Sequence, residues 1–286
     1  MNKQNARFVL TLTCGDRRDI VAAVANSIAS QSCNILESAQ YGCPDTKTFF
    51  MRVAFDTPEN MTVEQFSDAF GPVAQGFGLN WKVHDLANRP RVMIMVSKMG
   101  HCLNDLLYRN SIGQLPMDLA SVVSNHETWR KRVEDEGIPF HHLPVSADTK
   151  AEQETQLLQL VEDQNIDLVI LARYMQVLSD KLSNRLYGQV INIHHSFLPS
   201  FKGAKPYHRA HARGVKLIGA TAHYVTPDLD EGPIIEQDVG RVDHSMSPEE
   251  FVASGRDIES RVLARAVKAH LDHRVLINGE RTIVFQ

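Results

Sequence analysis

Residues Val190–Pro233 read VINIHHSFLPSFKGAKPYHRAHARGVKLIGATAHYVTPDLDEGP, and the architecture follows from how this stretch begins. Val190-Ile191-Asn192-Ile193 is a short apolar run of the kind buried on both faces of a parallel sheet. Upstream, strand and helix patterns alternate: Val92–Val96, Cys102–Tyr108, Leu119–Ser124, Glu127–Glu136, Pro139–Leu143, Ala151–Asp163, Asp167–Ala172, Ser179–Tyr187. Alternation at this spacing predicts an α/β domain of parallel βαβ units in a doubly wound, mostly parallel, Rossmann-like sheet. Asn192 and His194, two residues apart on a strand, face the same way. They sit at its carboxyl end, where open α/β sheets bind ligands. Ile218–Val225 reads as a further strand and leads into Asp228–Pro233, the turn that carries Asp230. Sequence alone does not bring Asp230 to the Asn192–His194 end.

Working towards the N-terminus, Asp85–Arg91 (DLANRPR) is a polar linker. Residues 7–86 before it read as a βαββαβ domain. Phe8, Leu10, Leu12 and Cys14 alternate as one buried strand face, and Phe49, Met51, Val53 and Phe55 as another. Thr62-x-x-Gln65 is a capping-box signature opening a helix, which Pro72 is expected to kink or shorten. Residues 91–286 form the second domain, ending in a helix, Pro248–His273, and a strand pair, Val275–Phe285.

Composition narrows the function. The chain has 286 residues, is 43% hydrophobic and 22% charged, and carries a formal net charge of -4. That is a soluble globular composition with no basic footprint for nucleic acid or a membrane surface. The N-terminal apolar stretch is too short and interrupted for a signal peptide, and no uncharged run suggests a spanning helix. Four cysteines without C-x-x-C spacing read as free thiols, and a cytoplasmic protein is expected.

Asn192-Ile193-His194, then Ser196-Phe197-Leu198-Pro199-Ser200-Phe201-Lys202-Gly203, then Leu229-Asp230-Glu231-Gly232-Pro233 resemble the signature of folate-dependent formyltransferases and hydrolases. The resemblance covers roughly residues 91–245 and implies that Asn192, His194 and Asp230 are the catalytic trio. It implies a folate substrate held by Met175, Gln176, Val177 and Leu178, faced by a wall at Thr226–Asp230 that includes Thr226 and Leu229. His223 has two readings, an orienter of Asp230 or a water within the substrate site, and a structural histidine. His195 and His208 read as structural histidines and His211 as a helix-surface residue. The N-terminal order, with the loop Asp16-Arg17-Arg18-Asp19-Ile20-Val21, resembles a ferredoxin-like ACT domain. That implies oligomerisation and an amino-acid effector near Asp16, Arg17, Asp19 and Ile20, glycine and methionine being first candidates.

The chemistry of formyl transfer suits the trio. Attack on the N10-formyl carbon places negative charge on its oxygen, which the Asn192 amide and a protonated His194 can stabilise. Asp230 can hold the His194 cation, take a proton from water or relay one to N10. The acceptor distinguishes the reactions. Glycinamide ribonucleotide transferases carry a small-residue phosphate loop, Ser-Gly-Asn-Gly-Ser-Asn, where this chain has Ser97-Lys98-Met99-Gly100-His101-Cys102. Met99, His101 and Cys102 crowd a phosphate cradle. The chain also has no basic stretch and ends soon after its last helix and strand pair, unlike enzymes acting on transfer RNA. Water remains as acceptor, and the two-domain arrangement is similar to that of the formyltetrahydrofolate deformylases. The expectation is hydrolysis of 10-formyltetrahydrofolate, without cofactor or metal, serving the one-carbon pools of purine synthesis. Three rivals stand: a formyltransferase to a small amine, a metal hydrolase using His194, His195 and Asp230, and a non-catalytic folate or amino-acid sensor. Adjacent histidines on a strand face opposite ways, which weighs against the metal site.

Overall fold

The structure is a computed structural model that describes residues 6–146, 148–198 and 206–286. Residues Pro199-Ser200-Phe201-Lys202-Gly203 of the signature lie outside the described residues. The chain divides into two compact units. One comprises residues up to Arg89 with His273–Leu276 and Ile283–Gln286; the other comprises Pro90–Asp272 and Ile277–Thr282.

The first unit runs β1 (Arg7–Gly15), α1 (Ile20–Ser30), β2 (Asn34–Cys43), β3 (Thr48–Asp56), α2 (Val63–Phe77) and β4 (Asn80–Asp85). Its four strands form an antiparallel sheet in the order β2-β3-β1-β4. The alternating residues of β1 and β3 pack with Ile20, Val24 and Ile28 of α1 and Phe66 and Phe70 of α2. Phe55 and Phe66 lie 4.9 Å apart, and Phe66 stacks on Phe70 at 5.7 Å. Such ring pairs add to the burial that drives the core.

Two findings depart from expectation. Helix α2 opens with the expected Thr62–Gln65 capping box but continues through Pro72 to Phe77, so it is not shortened there. Pro72 lies on the exposed side, while Phe66, Phe70 and Ala74 fasten the other side to the sheet. Strand β3 is buried on both faces, because Phe50 and Cys43 pack with Leu276 and Phe285 from the chain's end.

The second unit contains β5 (Arg91–Val96), α3 (His101–Ser111), β6 (Asp118–Ser124), α4 (Arg130–Glu134), β7 (Phe140–His142), α5 (Lys150–Asp163) and β8 (Leu168–Leu171). It continues with α6 (Asp180–Arg185), β9 (Val190–His194), α7 (Pro206–Arg213), β10 (Leu217–Tyr224), β11 (Ile234–Arg241) and α8 (Pro248–Leu271). The short pair β12 (Val275–Asn278) and β13 (Arg281–Val284) ends the chain. Seven strands form one mixed α/β sheet in the order β11-β10-β9-β8-β5-β6-β7. Pairings from β9 through β7 are parallel, whereas β10 and β11 are antiparallel additions at one edge. The strand order reverses between β5 and β8, so their carboxyl ends open the crevice expected at such a switch point. Helix α8 starts with a Ser247–Glu250 capping box and Pro248 at its first position, and it packs against β10, β11 and α3. Among the described residues no helix is long and apolar enough to cross a membrane. All four cysteines are buried and stand outside any disulfide.

Candidate active site

Strand register assembles the centre. In the β9–β10 pairing His223 lies directly opposite Asn192 and Thr221 opposite His194, so all four side chains share one face of the sheet. Asn192 Nδ2 is 3.2 Å from His223 Nε2. His223 Nδ1 donates to the Tyr224 carbonyl at 2.8 Å, which turns Nε2 towards Asn192. The turn after β10 then returns Asp230 to this face. Its Oδ2 is 3.2 Å from His194 Nδ1, and its Oδ1 is 3.7 Å from His223 Nε2. The two ends left apart by sequence therefore meet.

Two backbone features hold that turn. Asp230 adopts a left-handed conformation, φ 58°, sparsely populated by residues other than glycine. Gly232 is packed so tightly that a Cβ there would stand 1.8 Å from the Tyr224 carbonyl oxygen. Burial acts to raise the Asp230 carboxyl, but hydrogen bonds from His194 and His223 and their charges prevail and hold it well below the usual carboxylate range. His194 is itself buried, and with Nδ1 facing Asp230 its Nε2 is buried without a hydrogen-bond partner. Native proteins rarely leave such a group unsatisfied, and where they do a functional explanation is called for.

These groups line a cavity of about 350 Å³. Its walls are the segments 171–178, 192–195 and 223–230, so the expected folate-contacting residues Met175, Gln176, Val177, Leu178, Thr226 and Leu229 all border it. Met175 and Val177 are exposed, as is Leu229 across the cavity, whereas Leu178 is buried and Gln176 half-buried. Apolar side chains left uncovered on both sides of a cleft suit the faces of a flat heterocycle. The loop is pinned by Ser97, whose Oγ accepts from Met175 N–H at 3.0 Å and lies 2.7 Å from Asn125 Oδ1.

Residues not assigned to the folate site from sequence complete the surroundings. Strand β9 ends at His194, so the rule that neighbours on a strand face opposite ways does not reach His195, and His195 borders the same cavity. Arg173 adopts a left-handed φ of 63° at the end of β8 and is buried. Its guanidinium Nε stands 3.4 Å from Glu259 Oε2, while His101 Nε2 is 2.7 Å from the same oxygen and Tyr207 donates to Oε1 at 2.6 Å. Burial acts to raise the Glu259 carboxyl, but the bond from His101 and the Arg173 charge keep it lowered. Glu259 was visible in the sequence as a charge on the stripe Gly255, Val262, Leu263 and Ala266, which turns inward. His101, Cys102 and Glu259 also bring three metal-type ligand atoms within 4.8 Å of one another.

Trp129 covers Gly100 in the Ser97–Cys102 loop, while the Lys98 and Met99 side chains are exposed. Trp129 donates from Nε1 to the Lys98 carbonyl at 3.3 Å, and a Cβ on Gly100 would stand 2.1 Å from its ring. Of the remaining histidines, His208 is exposed, whereas His211 is half-buried against Phe251 with Nε2 3.1 Å from the Met246 carbonyl, rather than a surface residue. In the first unit, Asp16, Arg17 and Asp19 are exposed on the β1–α1 loop. Ile20 instead belongs to the core, and the Arg17 guanidinium lies 4.2 Å over the Phe77 ring.

Comparison with known proteins places the chain in a family. The formyl transferase family matches residues 90–267. A formyltetrahydrofolate deformylase of a Corynebacterium species is 47% identical over 285 residues, 99% of each chain. The crystal structure of a formyltetrahydrofolate deformylase from Burkholderia mallei is 53% identical and covers 98% of this chain and 100% of its own, with a TM-score of 0.94. A glycinamide ribonucleotide transformylase from Symbiobacterium toebii is 27% identical, covering 69% of this chain and 95% of its own at a TM-score of 0.65. With near-complete coverage at this identity, the chain belongs to the formyltetrahydrofolate deformylase family.

Proposed function

We propose that this enzyme hydrolyses 10-formyltetrahydrofolate to formate and tetrahydrofolate, with Asn192, His194 and Asp230 as its catalytic groups. The observation that carries the assignment is the buried, unpartnered Nε2 of His194, on a ring whose Nδ1 faces Asp230 and which borders the cavity. As water attacks the formyl carbon, the carbonyl electron pair moves onto oxygen. The free N–H of Asn192 and the Nε2–H of a His194 cation supported by Asp230 receive it. The water proton passes to the Asp230 carboxylate. On collapse the C–N10 bond breaks, its electron pair goes to N10, and N10 takes the proton from Asp230. Formic acid leaves and ionises to solvent. None of these steps calls for a cofactor. Met175, Gln176, Val177 and Leu178 hold the pterin against Thr226 and Leu229, and His223 orients Asn192.

Trp129 over Gly100 of the Ser97–Cys102 loop supports water over a phosphorylated acceptor, because a phosphate cradle needs close approach to backbone N–H groups. The second unit is then the catalytic domain. The βαββαβ order of the first supports an ACT regulatory domain that pairs in a homo-oligomer and takes an amino-acid effector near Asp16, Arg17 and Asp19. The setting is cytoplasmic, balancing one-carbon pools for purine synthesis. The test is formate release from 10-formyltetrahydrofolate by purified protein, without acceptor and with chelator present. Steady turnover with matching tetrahydrofolate is expected. Turnover only after adding glycinamide ribonucleotide would overturn the hydrolytic reading.

A further inference from the structure

The catalytic trio leaves one requirement unmet. A transferase receives its nucleophile from a bound substrate, whereas a hydrolase must hold a water in line with the formyl carbon. The trio is committed to other tasks, Asn192 and His194 Nε2 to the oxyanion and Asp230 to the water's proton, which leaves the water oxygen without a second contact to fix its direction. Asn192 faces His223, His194 Nδ1 faces Asp230, and His223 Nδ1 donates to the Tyr224 carbonyl. The remaining imidazole bordering the cavity is that of His195.

We propose that His195 binds and orients the attacking water, and so makes water the formyl acceptor; the assignment rests on the hydrolytic reading above. Its ring meets the His194 ring edge to face, with centroids 4.8 Å apart and planes at 72°. The distances fit such a role. An oxyanion sits about 3 Å from its donor on His194. A water poised to attack stands about 3 to 3.5 Å from the carbon and about 3 Å from the group that holds it. A ring 4.8 Å from His194 falls within that reach.

The surroundings of His195 suit an acceptor. Burial, then the Arg173 charge, then His194 push its pKa down to about 4, so the ring is neutral at neutral pH and offers a lone pair to water. Arg173 is held there by Glu259, itself fixed by His101 and Tyr207. The Tyr207 ring also meets the His195 ring at 86°, 6.5 Å between centroids. Burial and the Arg173 charge thus keep this imidazole neutral, and the ring contacts with His194 and Tyr207 orient it. In the step itself, the water oxygen bonds to the formyl carbon while one of its hydrogens stays bonded to His195 and the other passes as a proton to Asp230. Collapse breaks C–N10, N10 takes that proton, and formic acid departs.

Full-length His195→Ala and His195→Gln test this, assayed with saturating 10-formyltetrahydrofolate with and without hydroxylamine. Hydroxylamine is a strong nucleophile that needs no such orientation, and formhydroxamate reports its capture of the formyl group. For His195→Ala, kcat for formate is expected to fall about 100-fold, with KM within about twofold. Formhydroxamate should fall far less, so that its ratio to formate rises at least about tenfold. His195→Gln, which keeps an acceptor, should recover part of the formate rate, and it decides the matter if the alanine variant does not fold. Formate and formhydroxamate falling by the same factor would mean a merely structural histidine and overturn the proposal. So would a formate kcat within about twofold of wild type. A wild-type chain releasing no formate would overturn the hydrolytic reading itself, whereas an active wild type beside an equally active His195→Ala would overturn only the water assignment.

Discussion

Two carboxylates in the second unit sit beside histidines, Glu259 buried and Asp230 half-buried, and they differ in what their partners leave over. Glu259, on the inward side of α8, has both oxygens engaged, by His101, Arg173 and Tyr207. Asp230 is engaged by His194 and His223, but the chain of contacts ends at the unpartnered His194 Nε2 on the wall of the cavity. A closed cluster holds side chains in place at a desolvation cost, whereas an open one keeps a donor for a ligand. The difference teaches that burial and perturbed ionisation alone do not mark the chemistry. An unpartnered atom alone does not either, since Arg173 Nε in the closed cluster lacks a hydrogen bond; the mark is an unpartnered imidazole nitrogen beside a paired carboxylate on the cavity wall.

The comparison breaks most sharply at the open cluster. Asp230→Asn is expected to lower kcat for formate release by about 10⁴-fold, since it removes both the proton acceptor and the support of the His194 cation. Folate binding, followed by quenching of protein fluorescence, should stay within a fewfold of wild type. Retained turnover would remove Asp230 from the mechanism.

Glu259→Gln should act on stability. It leaves the Arg173 charge buried without its carboxylate, a loss of about 3 to 5 kcal/mol readable from urea unfolding. The pH dependence carries a sign. The folded Glu259 carboxyl is lowered relative to its unfolded value, so its contribution is present above the unfolded value and is lost as pH falls through the folded one. The acid-side decline in stability should therefore be flatter in the variant. An unchanged acid profile would mean that Glu259 carries no such linkage.

How much of this was legible follows from the distance over which each feature is specified. Asn192 and His194 were readable because two residues on one strand fix their own relative direction. Asp230 was readable only through the signature, because the turn that returns it depends on Gly232 meeting the Tyr224 carbonyl. The place of His195 on the cavity wall was not legible, because the alternation that fixes Asn192 and His194 stops at the end of β9. Arg173 and Glu259 were each visible as charges beside apolar runs, but 86 residues separate them, and no local pattern joins such a pair. The folds of both units followed from periodicity. The packing of Leu276 and Phe285 on β3 did not, because β12 and β13 are four residues each, too short for a period to declare a face.

The packing that returns Asp230 can be tested directly. In Gly232→Ala the new Cβ would collide with backbone, so the turn must shift. A displacement of about 1 Å at a catalytic group costs on the order of 100-fold in rate. We expect a fall in kcat of that size with little change in KM, and a rate within twofold of wild type would mean that the turn tolerates the methyl group.

The mildest change sharpens the contrast from the closed side. Tyr207→Phe removes the hydroxyl that donates to Glu259 Oε1 and nothing else. The ring that packs over Gly255 and against His195 remains, as do the His101 and Arg173 contacts of the carboxylate. One hydrogen bond to a charged group is worth about 1.5 to 3 kcal/mol, so stability should fall by about 2 kcal/mol in urea unfolding while kcat stays within about twofold. If kcat instead fell in step with Asp230→Asn, the closed cluster would be coupled to the chemistry through more than the seat it provides for Arg173 and His195, and the division between the two carboxylates would have to be redrawn.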